Sequence, residues 1–478
     1  MRDAIVISTL GVSPDDLLRG ELSASWIEWR ADLGGDFEVP RVAAQRLYTL
    51  RGVRAGRTAR LLGAARSFDL VDLEPCDLTA EILGAIPPHR RVITWRGRAA
   101  SLGELKRALA SITRVEARLY RIETEASSCS EAILPLELLR ATKRSDVTAC
   151  ALGAIGLWTR IVAPFLGAPV VAGGAGIDGM PSVEQLFEDY GFPDLPRVEE
   201  LFGIVGNPVL RSLSPRLHNA GFRMLGRAAL YVPFHAESFA DFWQELIASG
   251  RLEGLGFGVG ALCVVSPHKE IAIDAAESRT PIVARARSTN FFTNRGGTWT
   301  AGSTDPDGVL LTLRERGIDA RNQRAAVVGC GGSGRAIAAA LSQAGAEVTL
   351  VNRGFDRGAL AVGLLHLPFE PLAGFSPRGY SIVVNATPVG HEAGELPFNA
   401  DTLSDDAVVI DLVYGREPTA LVTRTRERGH VTIDGKDVLR RQAMSQFREM
   451  TGEPMPLEVP RRILEWNERE DAAIAAAS

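Results

Sequence analysis

Lysine is nearly missing from this chain. It occurs only at Lys106, Lys143, Lys269 and Lys436, among 53 basic residues in a total of 478. Arginine replaces it without cost on most solvated surfaces. It does not replace it chemically, because a guanidinium neither forms an imine nor gives up a proton near neutral pH. Amine chemistry is therefore excluded everywhere but at those four positions. Cysteine is also sparse: Cys76, Cys129, Cys150, Cys263 and Cys330 are dispersed, and no two have C-x-x-C spacing. Such a set excludes a disulfide frame and a zinc site, and it reads as reduced thiols in a cytoplasmic protein with no metal. No run approaches the roughly 20 apolar residues of a membrane helix, and the opening MRDAIVISTLG has no long apolar core, so no membrane association is expected. A net charge of −5 offers no basic footprint for nucleic acid.

What remains is an ordinary globular composition, 46% hydrophobic and 23% charged, in a chain long enough for two or three domains. From Ala4 to about Asp189, β-rich runs alternate with amphipathic segments. The runs are Ala4–Ser8, Trp26–Arg30, Arg46–Leu50, Phe68–Leu73, Arg91–Trp95, Arg118–Ile122, Val147–Leu152 and Pro169–Ala172. Eight such units predict a (β/α)8-like barrel over residues 1–190. A stretch with Pro193 and Pro196 reads as a linker, residues 191–200. Beyond it the β/α alternation restarts. Residues 201–310 together with 437–466 are expected to form an α/β substrate domain closed by C-terminal helices. Residues 311–436 are expected to form a Rossmann-type domain, with the active site in the cleft between these last two.

The Rossmann expectation rests on a buried strand, Ala325–Val328, that runs straight into Gly329-Cys330-Gly331-Gly332-Ser333-Gly334 and then a helix. Glycines let the backbone approach a pyrophosphate, whose charge sits at the helix N-terminus. The next strand ends in Asn352-Arg353, where an NAD site places an acidic residue for the ribose hydroxyl. A guanidinium there suits a 2′-phosphate, so the cofactor is read as NADP.

Several ordered strings resemble the shikimate dehydrogenase family over about residues 201–466. They are Gly206-Asn207-Pro208-Val209, Ser212 to Asn219, Pro267-His268-Lys269, Asn290, Thr304-Asp305-Pro306-Asp307-Gly308, Asn385-Ala386-Thr387-Pro388, Asp411 with Tyr414, and Gln442-Ala443. The resemblance implies NADPH-dependent reduction of 3-dehydroshikimate, with Lys269 as proton donor and Asp305 as the carboxylate that orients it. It also implies that Ser212 and Ser214 hold the substrate carboxylate and that Asn290, Tyr414 and Gln442 surround the ring. Thr387, Leu412 and Gly435 would face the nicotinamide. The chain departs from the family at Arg211, Cys263, Val265 and Ser303. Val265 stands where the family has a threonine that reaches substrate, which leaves open a preference for a related acid such as quinate.

The first domain is similar to type I 3-dehydroquinate dehydratase at Glu28 to Asp32, Thr49-Leu50-Arg51, Asp72-Leu73-Glu74, Gly156 and Thr159-Arg160-Ile161. By that resemblance the general acid/base histidine falls at Arg96 and the Schiff-base lysine at Arg121. Neither arginine can do the chemistry. Lys106 and Lys143 fall in helices, outside a barrel, and His89 precedes a strand at the wrong end. An inactive barrel is expected, with Arg30, Arg51, Arg96, Arg121 and Arg160 set against Glu28 and Glu74, either as a plug or as an anion site. The alternatives are a bifunctional dehydratase–dehydrogenase, or a non-catalytic sensor that binds NADP and shikimate. Oligomeric state is not legible.

Overall fold

A computed structural model of the chain describes residues 2–10, 24–35, 43–52, 55–174, 179–210 and 212–465. It forms two compact units, residues 1–259 and 260–478.

In the first unit the eight expected strands are all present: β1 (Ile5–Leu10), β2 (Trp26–Arg30), β3 (Gln45–Thr49), β4 (Leu70–Leu73), β5 (Arg91–Arg98), β6 (Leu119–Glu125), β7 (Val147–Ala151) and β8 (Val170–Gly173). All pair in parallel, in the order β7-β6-β5-β4-β3-β2-β1-β8. Among the described residues no ladder joins β7 to β8; there the Thr148 hydroxyl reaches the Val170 carbonyl, at 3.3 Å. The barrel is thus closed except for one seam. Helices α1 (Arg57–Ser67), α2 (Ala80–Ala85), α3 (Leu102–Ile112), α4 (Leu134–Thr142) and α5 (Gly153–Val162) lie between strands, and α6 (Val183–Tyr190) follows the last.

Strand side chains alternate between faces with a period of two. The apolar cluster of Ile7, Trp26, Leu47, Leu70, Val92, Leu119 and Val170 forms the barrel floor. Two residues along each strand, the same face presents Thr9, Glu28, Thr49, Asp72, Thr94 and Arg121. Two further on come Arg30, Arg51, Glu74, Arg96 and Glu123. The barrel is oily at its N-terminal end and charged at the C-terminal face, where barrel chemistry sits.

The expected linker is not free. Asp194–Leu195 runs antiparallel to Arg2–Asp3, and the Ala4 amide donates to the Pro193 carbonyl at 2.9 Å. The unit continues with β9 (Glu200–Gly206), α7 (Ser214–Met224) and β10 (Ala229–His235), the two strands pairing in parallel. These elements pack on the barrel. Trp158 of α5 meets Phe234 at 5.2 Å between ring centroids, and Arg216 of α7 donates to Asp189 of α6 at 2.6 Å. Arg251 adds a bond to Glu137 at 2.8 Å.

Strand β11 (Gly258–Val264) carries the chain into the second unit, followed by β12 (Ser278–Arg279), β13 (Phe291–Arg295) and β14 (Thr298–Gly302). β13 pairs antiparallel with both β11 and β14. Helix α8 (Asp305–Glu315) leads to a second parallel sheet of β15 (Arg324–Val328), β16 (Glu347–Asn352), β17 (Phe369–Pro371), β18 (Ile382–Asn385), β19 (Val408–Asp411) and β20 (Thr432–Ile433). Its order, β17-β16-β15-β18-β19-β20, is the doubly wound 3-2-1-4-5-6 arrangement. Alternation fills both faces: Ala325, Val327, Val384 and Ile410 point into one core, Ala326, Val328, Val383 and Val409 into the other. Helix α9 (Gly332–Gln343) follows β15. Helix α10 (Gly435–Thr451) closes the sequence of major elements, capped by the Asp434 carboxylate on the Lys436 and Asp437 amides. Among the described residues, no helix is long and apolar enough to cross a membrane.

Candidate active site and the barrel mouth

Lys269 lies on the turn after β11, where the Thr289 amide donates to its carbonyl at 2.8 Å. Its Nζ donates to Asp305 Oδ2 at 2.7 Å and to Ser333 Oγ at 2.8 Å. Asp305 opens α8 and is 3% exposed. Its other oxygen accepts from Asn290 Nδ2 at 2.7 Å and from Gln442 Nε2 of α10 at 2.5 Å. Asn290 is fixed in turn, accepting from the Thr304 amide at 2.8 Å. Four of the expected residues, Lys269, Asp305, Asn290 and Gln442, therefore converge from four separate stretches. An ammonium has three N–H donors; two are taken, and the third is available to an oxygen placed against Nζ.

The glycine loop has the geometry that a dinucleotide needs. Gly329 sits at φ +111°, a conformation that side chains rarely adopt. A Cβ on Gly334 would lie 1.9 Å from the Gly329 carbonyl oxygen, so no larger residue fits where the helix crosses the loop. Around Gly331, by contrast, the nearest atom to such a Cβ is a guanidinium nitrogen of Arg357, at 3.8 Å. That leaves an open, positively lined approach to the N-terminus of α9, suited to a phosphate. The loop lies at the switch point of the sheet, between β15 and β18. Asn352 Oδ1 accepts from the Cys330 amide at 3.1 Å and so steadies the loop. Arg353 is exposed, with no ion pair among the described residues.

Thr387, Leu412, Tyr414 and Gly435, also expected, stand just past β18, β19 and β20 of the same sheet. Thr387 turns its hydroxyl back onto Asn385 Oδ1 at 2.7 Å, and Asn385 donates to Asp411 at 2.8 Å. Burial pushes the Asp411 carboxyl up from its ordinary range, against hydrogen bonds from Thr419, the Val413 amide and Asn385. The Leu412 amide donates to the Asn385 carbonyl at 3.1 Å. A Cβ on Gly435 would lie 2.4 Å from the Val413 oxygen and 2.9 Å from the half-buried Tyr414 Cβ, so only glycine lets α10 start there. Ser212 and Ser214 belong to the first unit, at the start of α7, where Ser212 Oγ accepts from the Ser214 amide at 3.2 Å. Arg211 lies outside the described residues. Among those described, no group of three or more His, Cys, Asp or Glu side chains could hold a metal.

The mouth of the barrel is occupied by its own charges. Arg96 divides its guanidinium among Asp72 at 2.7 Å, Glu123 at 2.8 Å and Glu74 at 2.9 Å. Arg121 donates to Glu28 at 2.8 Å and lies 2.9 Å from Asp72. Glu28 also accepts from Thr9 and Thr49, at 2.9 and 2.7 Å. Burial opposes the Glu28 charge, yet Arg121, Arg51 and the Thr49 hydroxyl together hold its pKa down to about 2. Glu123 is likewise buried and held well below the usual carboxylate range by Arg51, Arg96 and Arg121. Burial disfavours the charges of Arg96 and Arg121 too, but the carboxylates around them raise both. The expected network is present but differently wired. Arg30 pairs locally with Asp32 at 2.6 Å, and Arg160 makes no ion pair among the described residues. Asp72 and Glu123 were not expected as partners. Their spacing of two from Glu74 and Arg121 was the available signal, since it puts each pair on one face. Lys106 lies on α3 as expected, whereas Lys143 stands just past α4 as its left-handed C-terminal cap; both are exposed, as is His89.

The model of the shikimate dehydrogenase substrate binding domain matches residues 204–291. A shikimate dehydrogenase (NADP(+)) of Haloarcula marismortui is 35% identical over 259 residues, which span 54% of this chain and 95% of that protein. The chain belongs to the shikimate dehydrogenase family. The crystal structure of the family's enzyme from Aquifex aeolicus is 27% identical, with a TM-score of 0.50, and covers 56% of this chain and 98% of its own. The chloroplastic bifunctional 3-dehydroquinate dehydratase/shikimate dehydrogenase of Arabidopsis thaliana is 27% identical over 386 residues. That match spans 75% of this chain and 62% of the plant protein, so it extends beyond the family's usual segment into the barrel.

Proposed function

We propose that this chain is an NADP-dependent shikimate dehydrogenase that reduces 3-dehydroshikimate to shikimate, and that its barrel has no Schiff-base dehydratase activity. The observation that carries the reading is the Lys269–Asp305 pair, 2.7 Å apart and braced by Asn290 and Gln442. NADPH supplies the hydride when bound. Lys269 Nζ delivers the proton to the carbonyl oxygen as it becomes an alcohol. Asp305 keeps the ammonium aimed, because its second oxygen is already held from two sides. Ser212 and Ser214 are assigned to the substrate carboxylate, and Asn290, Tyr414 and Gln442 to the ring. Thr387, Leu412 and Gly435 are assigned to the nicotinamide side, Gly329, Gly331, Gly332 and Gly334 to the pyrophosphate, and Asn352 with Arg353 to the 2′-phosphate. The assignment keeps the domain limits read from the sequence: a barrel over 1–190, a linker over 191–200, a substrate domain over 201–310 with 437–466, and a Rossmann domain over 311–436. Five free cysteines support a reducing, cytoplasmic setting.

Two assays on one purified sample test this. Shikimate with NADP should yield NADPH, with quinate and NAD as controls for the Val265 departure. Dehydroquinate alone should give no dehydroshikimate absorbance, and borohydride should trap no adduct. A trapped adduct would make the chain bifunctional; absence of shikimate turnover would remove the reductase reading.

A further inference from the structure

The sequence places Ser333 among the dinucleotide contacts, because it stands inside the glycine-rich turn. Its hydroxyl is elsewhere: Oγ accepts from Lys269 Nζ at 2.8 Å, across 64 residues of sequence. We infer that Ser333 is a positioning residue for the proton donor, holding the Lys269 ammonium from the first turn of α9. This rests on the reductase reading above.

Further contacts of Gly332 and Arg335 fix that turn on the segments around Lys269 and Ser288. A Cβ on Gly332 would lie 2.3 Å from Ser288 Oγ and 3.0 Å from Lys269 Cβ, so the helix start is pressed directly against the lysine's neighbours. Two residues past Ser333, Arg335 is 1% exposed and donates to the carbonyls of Ala286 at 2.8 Å and Arg287 at 3.1 Å. The same guanidinium lies 3.3 Å from the carboxylate of Glu270. One helical turn therefore grips two consecutive residues, Lys269 through Ser333 and Glu270 through Arg335. Asp305 and Ser333 hold two of the three ammonium hydrogens from different elements. With both in place the third N–H has one direction left. With Asp305 alone, the long lysine stem can rotate about its one remaining anchor. Orientation of this kind is a major part of what a proton donor contributes.

The scarcity of lysine makes the test direct. Brief reaction of the full-length, unliganded protein with an amine-selective acylating reagent, read by peptide mass, resolves all four lysines separately. Lys106, Lys143 and Lys436 serve as internal standards. Ser333→Ala should label Lys269 several-fold faster than the unsubstituted protein, while the three standards keep their rates. The same variant should lose about tenfold in kcat, the size expected for one hydrogen bond to a charged group. Its dissociation constant for NADP, by fluorescence titration, should not change. Ser333→Thr, which retains the hydroxyl, should restore both labelling rate and kcat. Unchanged labelling with unchanged kcat would overturn the inference. So would weakened NADP binding with unchanged labelling, which would return Ser333 to the cofactor. Labelling needs neither substrate nor cofactor, so a protein without shikimate turnover would sink the reductase reading and leave this arm readable.

Discussion

The barrel mouth and the lysine site are built from the same materials, cations set against carboxylates toward or just past the ends of strands. They differ in what is left over. In the barrel, Arg96 alone touches three carboxylates, and Glu28 is held by a guanidinium and two hydroxyls. At the other site a single ammonium meets one carboxylate and one hydroxyl. A guanidinium distributes its charge over a planar fork and keeps its proton, so a cluster of them satisfies itself. A lysine is a point donor on a mobile stem, so it can be aimed and can give its proton away. Position is therefore not what separates the two regions; the chemical type of the cation is.

The contrast can be broken most severely at Lys269. Lys269→Ala, or Asp305→Asn, should lower kcat by roughly 10²- to 10⁴-fold with the circular dichroism spectrum intact. Lys269→Arg should fall in the same range, because charge is kept and the transferable proton is not. Preserved turnover in the arginine variant would remove the distinction drawn here. In the barrel the corresponding deletion should appear as stability. Arg121→Ala removes the guanidinium shared by Glu28 and Asp72, leaving buried Glu28 with hydroxyl donors but no ion-pair partner in contact, and should cost about 3–5 kcal/mol in urea unfolding. A cost within error of zero would mean that the network is ornamental.

Acid separates the regions more gently. Glu28 has a folded pKa of about 2 against an ordinary 4.5. Its contribution is thus complete above about pH 4.5 and is lost as pH falls toward 2, because the unfolded chain binds the proton first. Urea midpoints between those limits should rise with pH, and Glu28→Gln should flatten the slope. The smallest effect is expected at Asp189, where burial pushes the carboxyl up in spite of Arg216. Asp189→Asn should raise the substrate KM by a factor of about three, since one partly exposed ion pair is worth up to about 1 kcal/mol, with kcat unchanged.

Much of this was legible in the sequence because it rests on short-range periodicity. All eight barrel strands, and the turn from Val328 into the glycines, follow from alternation and from residues that sit side by side. The arginines at 96 and 121 were singled out by the resemblance to type I 3-dehydroquinate dehydratase, and the alternation of their strands then places both on the barrel's inner face. The Lys269–Asp305 pairing came only through resemblance, as 36 residues separate the two. The contact of Ser333 with Lys269, across 64 residues, was not legible; no local pattern tells a helix start that meets a phosphate from one that meets a lysine. The pairing of Asp194–Leu195 with Arg2–Asp3 was hidden behind prolines, which signal a break in helices and central strands but are compatible with an edge.

The contact between α6 and α7 bears on what a barrel with a mouth of arginines and carboxylates does for the rest of its unit. Arg216 stands two residues after Ser214, and its counter-charge, Asp189, lies on the last helix before the linker. Trp158, buried at 1% exposure, rests on Phe234 of the strand beside it. Cutting away the first 190 residues would uncover that ring and leave the arginine unmatched, right where the serine helix begins. The barrel thus serves as a wall for the segment that carries the two serines, whatever its mouth does.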